Sequence, residues 1–291
     1  MPKLVLTFSL VLFTASAALA AQPATNPPPA LDFVISDRDG KVMNLGPAPR
    51  GAYSPRVSPD GKQLVVDAIG GVWIADLDNV GAARVLVAGQ AQWPYWSPDG
   101  KSVLYTRDSD GQQALFRHVP GSADPDSLVI RPARAAESWS PQHDVLSYIE
   151  LASAGDYGIW AYSFKDDQKR LLANMAPSAE NSSQFSPDGS RLVYASNATG
   201  RFELYLQRYP DGEPVRITTE GGHHPIWSPD GKELFFDRDN RDFFAVTVSG
   251  LEVGEPRPVN IKGFVQTPLR RQFDMTPDGR ILYLAPREHA H

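Results

Sequence analysis

Cysteine is absent from this 291-residue chain. No disulfide can form, no thiolate can serve as nucleophile or zinc ligand, and stability has to come from packing. The same absence removes lipid anchoring through a cysteine beside the leader. Histidine is scarce, six in all, and only His223 and His224 are adjacent. The chain has no Gly-x-Ser-x-Gly elbow, no His-Glu-x-x-His zinc motif and no phosphate-binding glycine loop. A basic excess is missing too: 28 Lys and Arg face 34 Asp and Glu, a formal charge of −6. That balance argues against a nucleic-acid or anionic-membrane surface, which needs clustered cations. The longest apolar run, residues 4–13, falls short of the roughly 20 residues a spanning helix requires. With Lys3 before it and Ala18-Leu19-Ala20 after it, the run predicts a secretory leader cleaved after Ala20 and hence a periplasmic or secreted protein. Residues 21–30 are Pro-rich and uncharged, which suits a tether, and no capped 3.6-residue period follows it.

What the chain does have is one turn repeated six times. Ser58-Pro59-Asp60-Gly61, Ser97-Pro98-Asp99-Gly100, Ser140-Pro141-Gln142-His143, Ser186-Pro187-Asp188-Gly189, Ser228-Pro229-Asp230-Gly231 and Thr276-Pro277-Asp278-Gly279 recur at spacings of 39, 43, 46, 42 and 48. These lie in or near the range of a four-stranded propeller blade. Proline fixes φ at the second turn position and glycine accepts positive φ at the fourth, so each copy closes a hairpin. A bulky apolar residue precedes every turn (Val57, Trp96, Trp139, Phe185, Trp227, Met275), and an apolar run such as Leu64-Val65-Val66 follows it. Strands apolar on both faces belong in sheets covered on both sides. The last unit lacks two strands, and residues 32–36 and 41–45, ahead of the first turn, supply two. The prediction is an all-β, six-bladed propeller of four-stranded blades over residues 31–291, with strands from both chain ends completing the sixth blade.

Variation on one face of a rigid scaffold is where binding usually resides. The turns are short and uniform, whereas the loops opposite are long and varied. The partner-binding candidates are therefore placed at the channel mouth on that opposite face: Arg56, Tyr95, Glu137, Gln184, His223, His224, Arg270 and Arg271. Asp110, Asp156, Arg201 and Arg241 lie further out. Neighbouring strand residues point to opposite faces, so His223 and His224 can share a ligand only if the segment is irregular. Asp108-Ser109-Asp110-Gly111 has the opening pattern of a calcium loop without the Glu that completes one. Turn formation accounts for the aspartates within the repeats.

The segments Pro94-Tyr95-Trp96-Ser97-Pro98-Asp99-Gly100-Lys101 and Gly222-His223-His224-Pro225-Ile226-Trp227-Ser228-Pro229-Asp230-Gly231 resemble the WD-like repeats of TolB propellers. Residues 196–205 also resemble propellers appended to bacterial serine/threonine kinases. The TolB resemblance implies a periplasmic propeller that docks a protein partner such as an envelope lipoprotein. It departs from TolB in having about ten Pro-rich residues where TolB has an α/β domain, so a stand-alone propeller is expected. With no catalytic constellation in view, the sequence predicts a non-enzymatic scaffold that docks a protein or peptide, without cofactor or metal. Two alternatives stay open: a metal-dependent lactonase- or lyase-like enzyme using Glu137, His223, His224 and Asp274 in the channel, and a degenerate sensor domain.

Overall fold

The computed structural model describes residues 28–287 except 39, 141, 154, 155, 176, 262 and 266–269. The expected leader, most of the expected tether, His289 and His291 lie outside the described residues.

The chain begins with β1 (Leu31–Ser36) and β2 (Val42–Pro47). Blade 1 follows as β3 (Tyr53–Val57), β4 (Gln63–Ala68), β5 (Gly71–Asp76) and β6 (Asn79–Ala88). Blade 2 is β7 (Gln92–Trp96), β8 (Val103–Ser109), β9 (Gln112–His118) and β10 (Ser127–Ile130). Blade 3 is β11 (Ala135–Ser140), β12 (Val145–Ser153), β13 (Asp156–Ser163) and β14 (Gln168–Ala173). Blade 4 is β15 (Glu180–Phe185), β16 (Arg191–Ser196), β17 (Glu203–Arg208) and β18 (Val215–Arg216). Blade 5 is β19 (His223–Trp227), β20 (Glu233–Arg238) and β21 (Asp242–Ser249), whose outer edge takes both β22 (Glu252–Val253) and β23 (Arg257–Val259). β24 (Phe273–Met275) and β25 (Ile281–Pro286) come last, and the sixth sheet has the order β2-β1-β25-β24. Strands from both chain ends thus close the ring, as the strand count predicts.

Each intact turn is clamped by its own side chains. Ser58, Ser97, Ser186 and Ser228 donate their hydroxyls to the aspartate two residues on at 2.5 to 2.6 Å, and Thr276 does the same. The same hydroxyl accepts the N–H that opens the next strand, as Gln63 N–H to Ser58 at 2.9 Å. Gly61, Gly100, Gly189, Gly231 and Gly279 all have φ between 68° and 83°, where a Cβ is strained. Serine donation pulls Asp188 down to about 2. The third turn lacks the aspartate. Buried Ser140 Oγ is left without a partner there, and Gln142 reaches across to the Pro187 carbonyl at 2.7 Å.

The core lies between blades rather than within them. Phe33, Leu282 and Leu284 of blade 6 pack on Leu64 and Val66 of blade 1, while Val34, Phe273 and Tyr283 pack on Phe235 and Phe243 of blade 5. All six residues of β1 are buried, and Phe33 pairs with Leu284 across the closure. Removing its ring should cost most at the seam. Phe33→Ala is expected to lower unfolding stability by about 3–5 kcal/mol in urea denaturation, whereas alanine at exposed Val42 on β2 should stay within about 0.5 kcal/mol.

Candidate functional site

The inner strands do not run straight. Residues four positions before the turn have positive φ without being glycine: Ser54 (51°), Trp93 (57°), Ser182 (57°) and His224 (47°). The pairing register of β3, β7, β15 and β19 slips at the same places. An inserted residue in a strand bends it and turns peptide N–H groups out of the ladder. Here those groups face polar side chains of the preceding blade. Ser182 and Ser183 N–H donate to the Glu137 carboxylate at 2.5 and 2.7 Å, Ser183 Oγ adds a third bond at 2.6 Å, and Ser54 N–H donates to Gln272 at 3.2 Å. Burial nevertheless pushes Glu137 up to about 7, against the pull of these donors and of Arg271.

Nearer the turns, residues two positions before each turn form a level around the channel. Arg56, Tyr95, Gln184 and Asp274 line a cavity of 270 Å³ together with Arg271, Trp139, and Pro59 and Pro98 of the turns themselves. Links between blades build this level: Asp274 accepts Val57 N–H at 2.8 Å and Ser138 Oγ accepts Phe185 N–H at 3.0 Å. Arg56 and Arg271 lie side by side. Arg56 donates to the carbonyls of Pro55 and Arg271 at 2.7 and 3.2 Å, and Arg271 to the Pro225 carbonyl and to Asp274 at 3.3 and 3.2 Å. Arg271 is only 7% exposed, and its Nε has no partner. Two guanidiniums therefore stand together in a desolvated place with one hydrogen-bonded carboxylate, Asp274, among the described residues, while Glu137 and Asp67 act on them from further off. Burial, and then Arg271, bring Arg56 down to about 10. It still carries its charge at neutral pH, and burial raises the Tyr95 hydroxyl, keeping it a neutral donor.

The histidine pair is buried deeper. The bulge at His224 removes the strand alternation, so the two rings stack at 3.7 Å, with Phe202 on the outer side of His223 at 4.2 Å. His223 Nε2 meets Asn181 Oδ1 at 2.7 Å and His224 Nδ1 meets Asp237 Oδ1 at 2.7 Å. Burial first, and for His224 the nearby Arg271 and Arg56, push both imidazoles well below their usual range. His224 is thus a neutral ring bonded to a carboxyl rather than half of an ion pair. Among the described residues no three His, Asp or Glu side chains converge on a point where a metal would sit. Glu137, His223, His224 and Asp274 do not assemble as a ligand set.

The eight sequence candidates therefore fall into three places. Arg56, Tyr95, Gln184 and Arg271 line the cavity at the turn end of the channel, not at the opposite mouth where the sequence placed them. Glu137 and the histidines form the buried level beyond. Arg270 is apart, ion-paired to Asp67, bonded to Gln92 at 2.7 Å and set 4.4 Å from the Trp93 ring. Further out, Asp110 pairs with Arg131 and Arg201 with Glu203, and Asp108 caps its own hairpin by accepting Gly111 N–H. Sequence reasoning passed over Ser182 and Ser183, read Asp237 only as part of an acidic loop between strands, and treated Trp139 only as a strand end. The signal for Trp139 is its position beside the decayed turn. The bulge is testable at Ser182: valine at φ 57° should cost about 1–2 kcal/mol, while glycine should be tolerated, both read as shifts in thermal unfolding midpoint.

No family model matches the chain. It is 27% identical over 273 residues to dipeptidyl aminopeptidase BIII of Pseudoxanthomonas mexicana, covering 83% of this chain and 38% of that protein. It is 25% identical over 197 residues to the uncharacterized peptidase YuxL of Bacillus subtilis, covering 62% of this chain and 28% of that one. The chain thus spans well under half the length of these peptidases. Among solved structures it matches a putative TolB from Agrobacterium tumefaciens with a TM-score of 0.72 at 20% identity, over 90% of this chain and 99% of that chain. An oligogalacturonate lyase in complex with manganese matches with a TM-score of 0.57 at 16% identity, over 88% and 82%. Relatives named as peptidases overturn the expectation of a non-enzymatic module. No helix among the described residues is long and apolar enough to cross a membrane. By fold, this chain is a TolB-like six-bladed β-propeller.

Proposed function

We propose that this chain is the substrate-receiving propeller of an exported, peptidase-type enzyme system, and that it takes a peptide by its C-terminal carboxylate at the turn end of the channel. One observation carries this reading: Arg56 and Arg271 are held together and desolvated, and among the described residues Asp274 is the one carboxylate hydrogen-bonded to the pair. An uncompensated buried cation is costly, and a planar carboxylate offers guanidinium the geometry it binds best. Neutral donors from Tyr95 and Gln184 complete a rim for the remainder of the terminal residue. The peptidase names of the curated relatives support a peptide as the carrier of that carboxylate, and the apolar run at residues 4–13, read as part of a leader, supports export.

The charge of the site depends on Glu137. Below about pH 7 it is protonated and the arginine pair is in excess; above that it ionises beside Arg271 and competes with an incoming anion. Affinity for a peptide acid is therefore expected to fall as pH rises from 6 to 8. Calorimetric titration of the purified chain at pH 6 should show an acetylated tripeptide acid binding about 10- to 100-fold tighter than its C-terminal amide, the range expected of charged hydrogen bonds. Arg271→Met and Arg56→Met, each checked for an intact fold, should erase that difference. Equal affinity for acid and amide would overturn the reading.

A further inference from the structure

Three blades carry a tryptophan immediately before the turn, and one of the three is held differently. Trp96 donates its indole N–H to the Arg56 carbonyl of the preceding blade at 3.2 Å, and Trp227 donates to the Gln184 carbonyl at 3.3 Å. Both indoles are thereby drawn inward and buried, at 5% exposure. Trp139 holds the same place in blade 3, where the equivalent acceptor is the Tyr95 carbonyl. It donates instead to Asp144 Oδ1, at 3.2 Å, within its own decayed turn. Its ring stacks on Phe164 at 4.3 Å and 12°, and Tyr162 meets Phe164 edge-on at 5.0 Å. The Arg117 guanidinium lies over both rings, 5.3 Å from Trp139 and 5.0 Å from Phe164, and its Nε has no partner. A second cavity, of 670 Å³, opens over this cluster, and Trp139 and Pro98 wall both it and the arginine cavity. The two spaces meet at one indole.

We infer that the groove of Trp139, Phe164 and Arg117 is a subsite for an aromatic side chain of the peptide whose carboxylate the arginine pair holds. The inference rests on the carboxylate reading above and adds the specificity of the bound residue. Stacked indole and phenyl rings present a flat, polarisable wall that a further ring fills by offset or edge contact, which an aliphatic chain cannot match. A guanidinium beside the stack favours the electron-rich face of an incoming ring. The position of Trp139 accompanies the loss of Asp and Gly in the third turn, with Asp144 just after it taking the indole N–H. Gln142 and His143 stand where other blades clamp the turn, Ser140 Oγ is left unpaired, and the strand register across the turn is unchanged: Trp139 faces Leu146 as Trp96 faces Val103.

That unchanged register allows the turn to be repaired. Acetylated tripeptide acids ending in Phe, Leu or Ala, and the Phe amide, are titrated into the wild-type chain, into Trp139→Leu and into the double variant Gln142→Asp, His143→Gly. In the wild type the Phe acid should bind about 2- to 10-fold tighter than the Leu acid, the range for an aromatic pair. Trp139→Leu should bring that ratio close to one. The repaired turn, with Ser140 again bonded to an aspartate, should fold at least as stably and lose the ratio too, as Trp139 turns inward and the groove closes. A Phe to Leu ratio of one in the wild type, or a ratio that survives in the repaired turn, overturns the subsite. The acid to amide comparison reports separately on the arginine pair, so failure of that reading is distinguished from failure of this one.

Discussion

Closure of the ring is the constraint on which the rest of the structure depends. Arg56 and Arg271 are separated by 215 positions in the chain, yet a guanidinium of one bonds the carbonyl of the other. They meet because β1 and β2, from the start of the propeller, pair onto β24 and β25 from its end, and because Phe33, Leu282 and Leu284 pack that composite blade against blade 1. Contacts this distant in sequence are costly in loop entropy and form only when a large apolar surface is buried with them. The seam supplies that surface and fixes the channel wall in the same step.

Within the closed ring, the inner strands trade regular pairing for polar geometry. Left-handed backbone at Ser54, Trp93, Ser182 and His224 is strained for side chains of this kind. It persists because freed N–H groups are taken up across the blade interface, as by Gln272 at Ser54 and by Glu137 at Ser182 and Ser183. The channel is thereby lined with oriented dipoles and a few buried charges whose affinities for protons are displaced mainly by desolvation. Glu137, Asp67 and Asp237 are all raised, to about 7, 6 and 7, and both histidines are held neutral. Strong displacement in a concave site is a signature of function as well as of burial.

Much of the fold was legible because one turn carries its own chemistry. Proline, aspartate and glycine in fixed order mark a hairpin whatever surrounds them, so six copies meant six blades, and the two unassigned strands near the start had only one place to go. The third copy kept its blade despite losing Asp and Gly, since turn length and the flanking apolar pattern were intact. The site was less legible. Arg56, Tyr95 and Gln184 stand two residues before their turns, which is enough to place them at the turn end of the channel. The argument from loop variation nevertheless assigned them to the other face. The bulges left no mark that strand alternation could reveal, because Ser and Trp are not residues that signal positive φ. The pairing of Arg56 with Arg271 depends on ring closure, and no local pattern encodes it. The role of Trp139 was visible only as a defect in the neighbouring turn.

A propeller brings side chains from every blade to one axis, and its chemistry depends on which side chains those are. Here they are two arginines with one carboxylate hydrogen-bonded to the pair, beside an indole turned to its own hairpin. The most direct measurement is a crystal structure of the chain with a peptide acid bound. Carboxylate oxygens within hydrogen-bonding distance of both Arg56 and Arg271, with the peptide leaving past Pro98 on the turn face, are the predicted result. A peptide seated at the opposite mouth, or bound with its carboxylate in solvent, would contradict it.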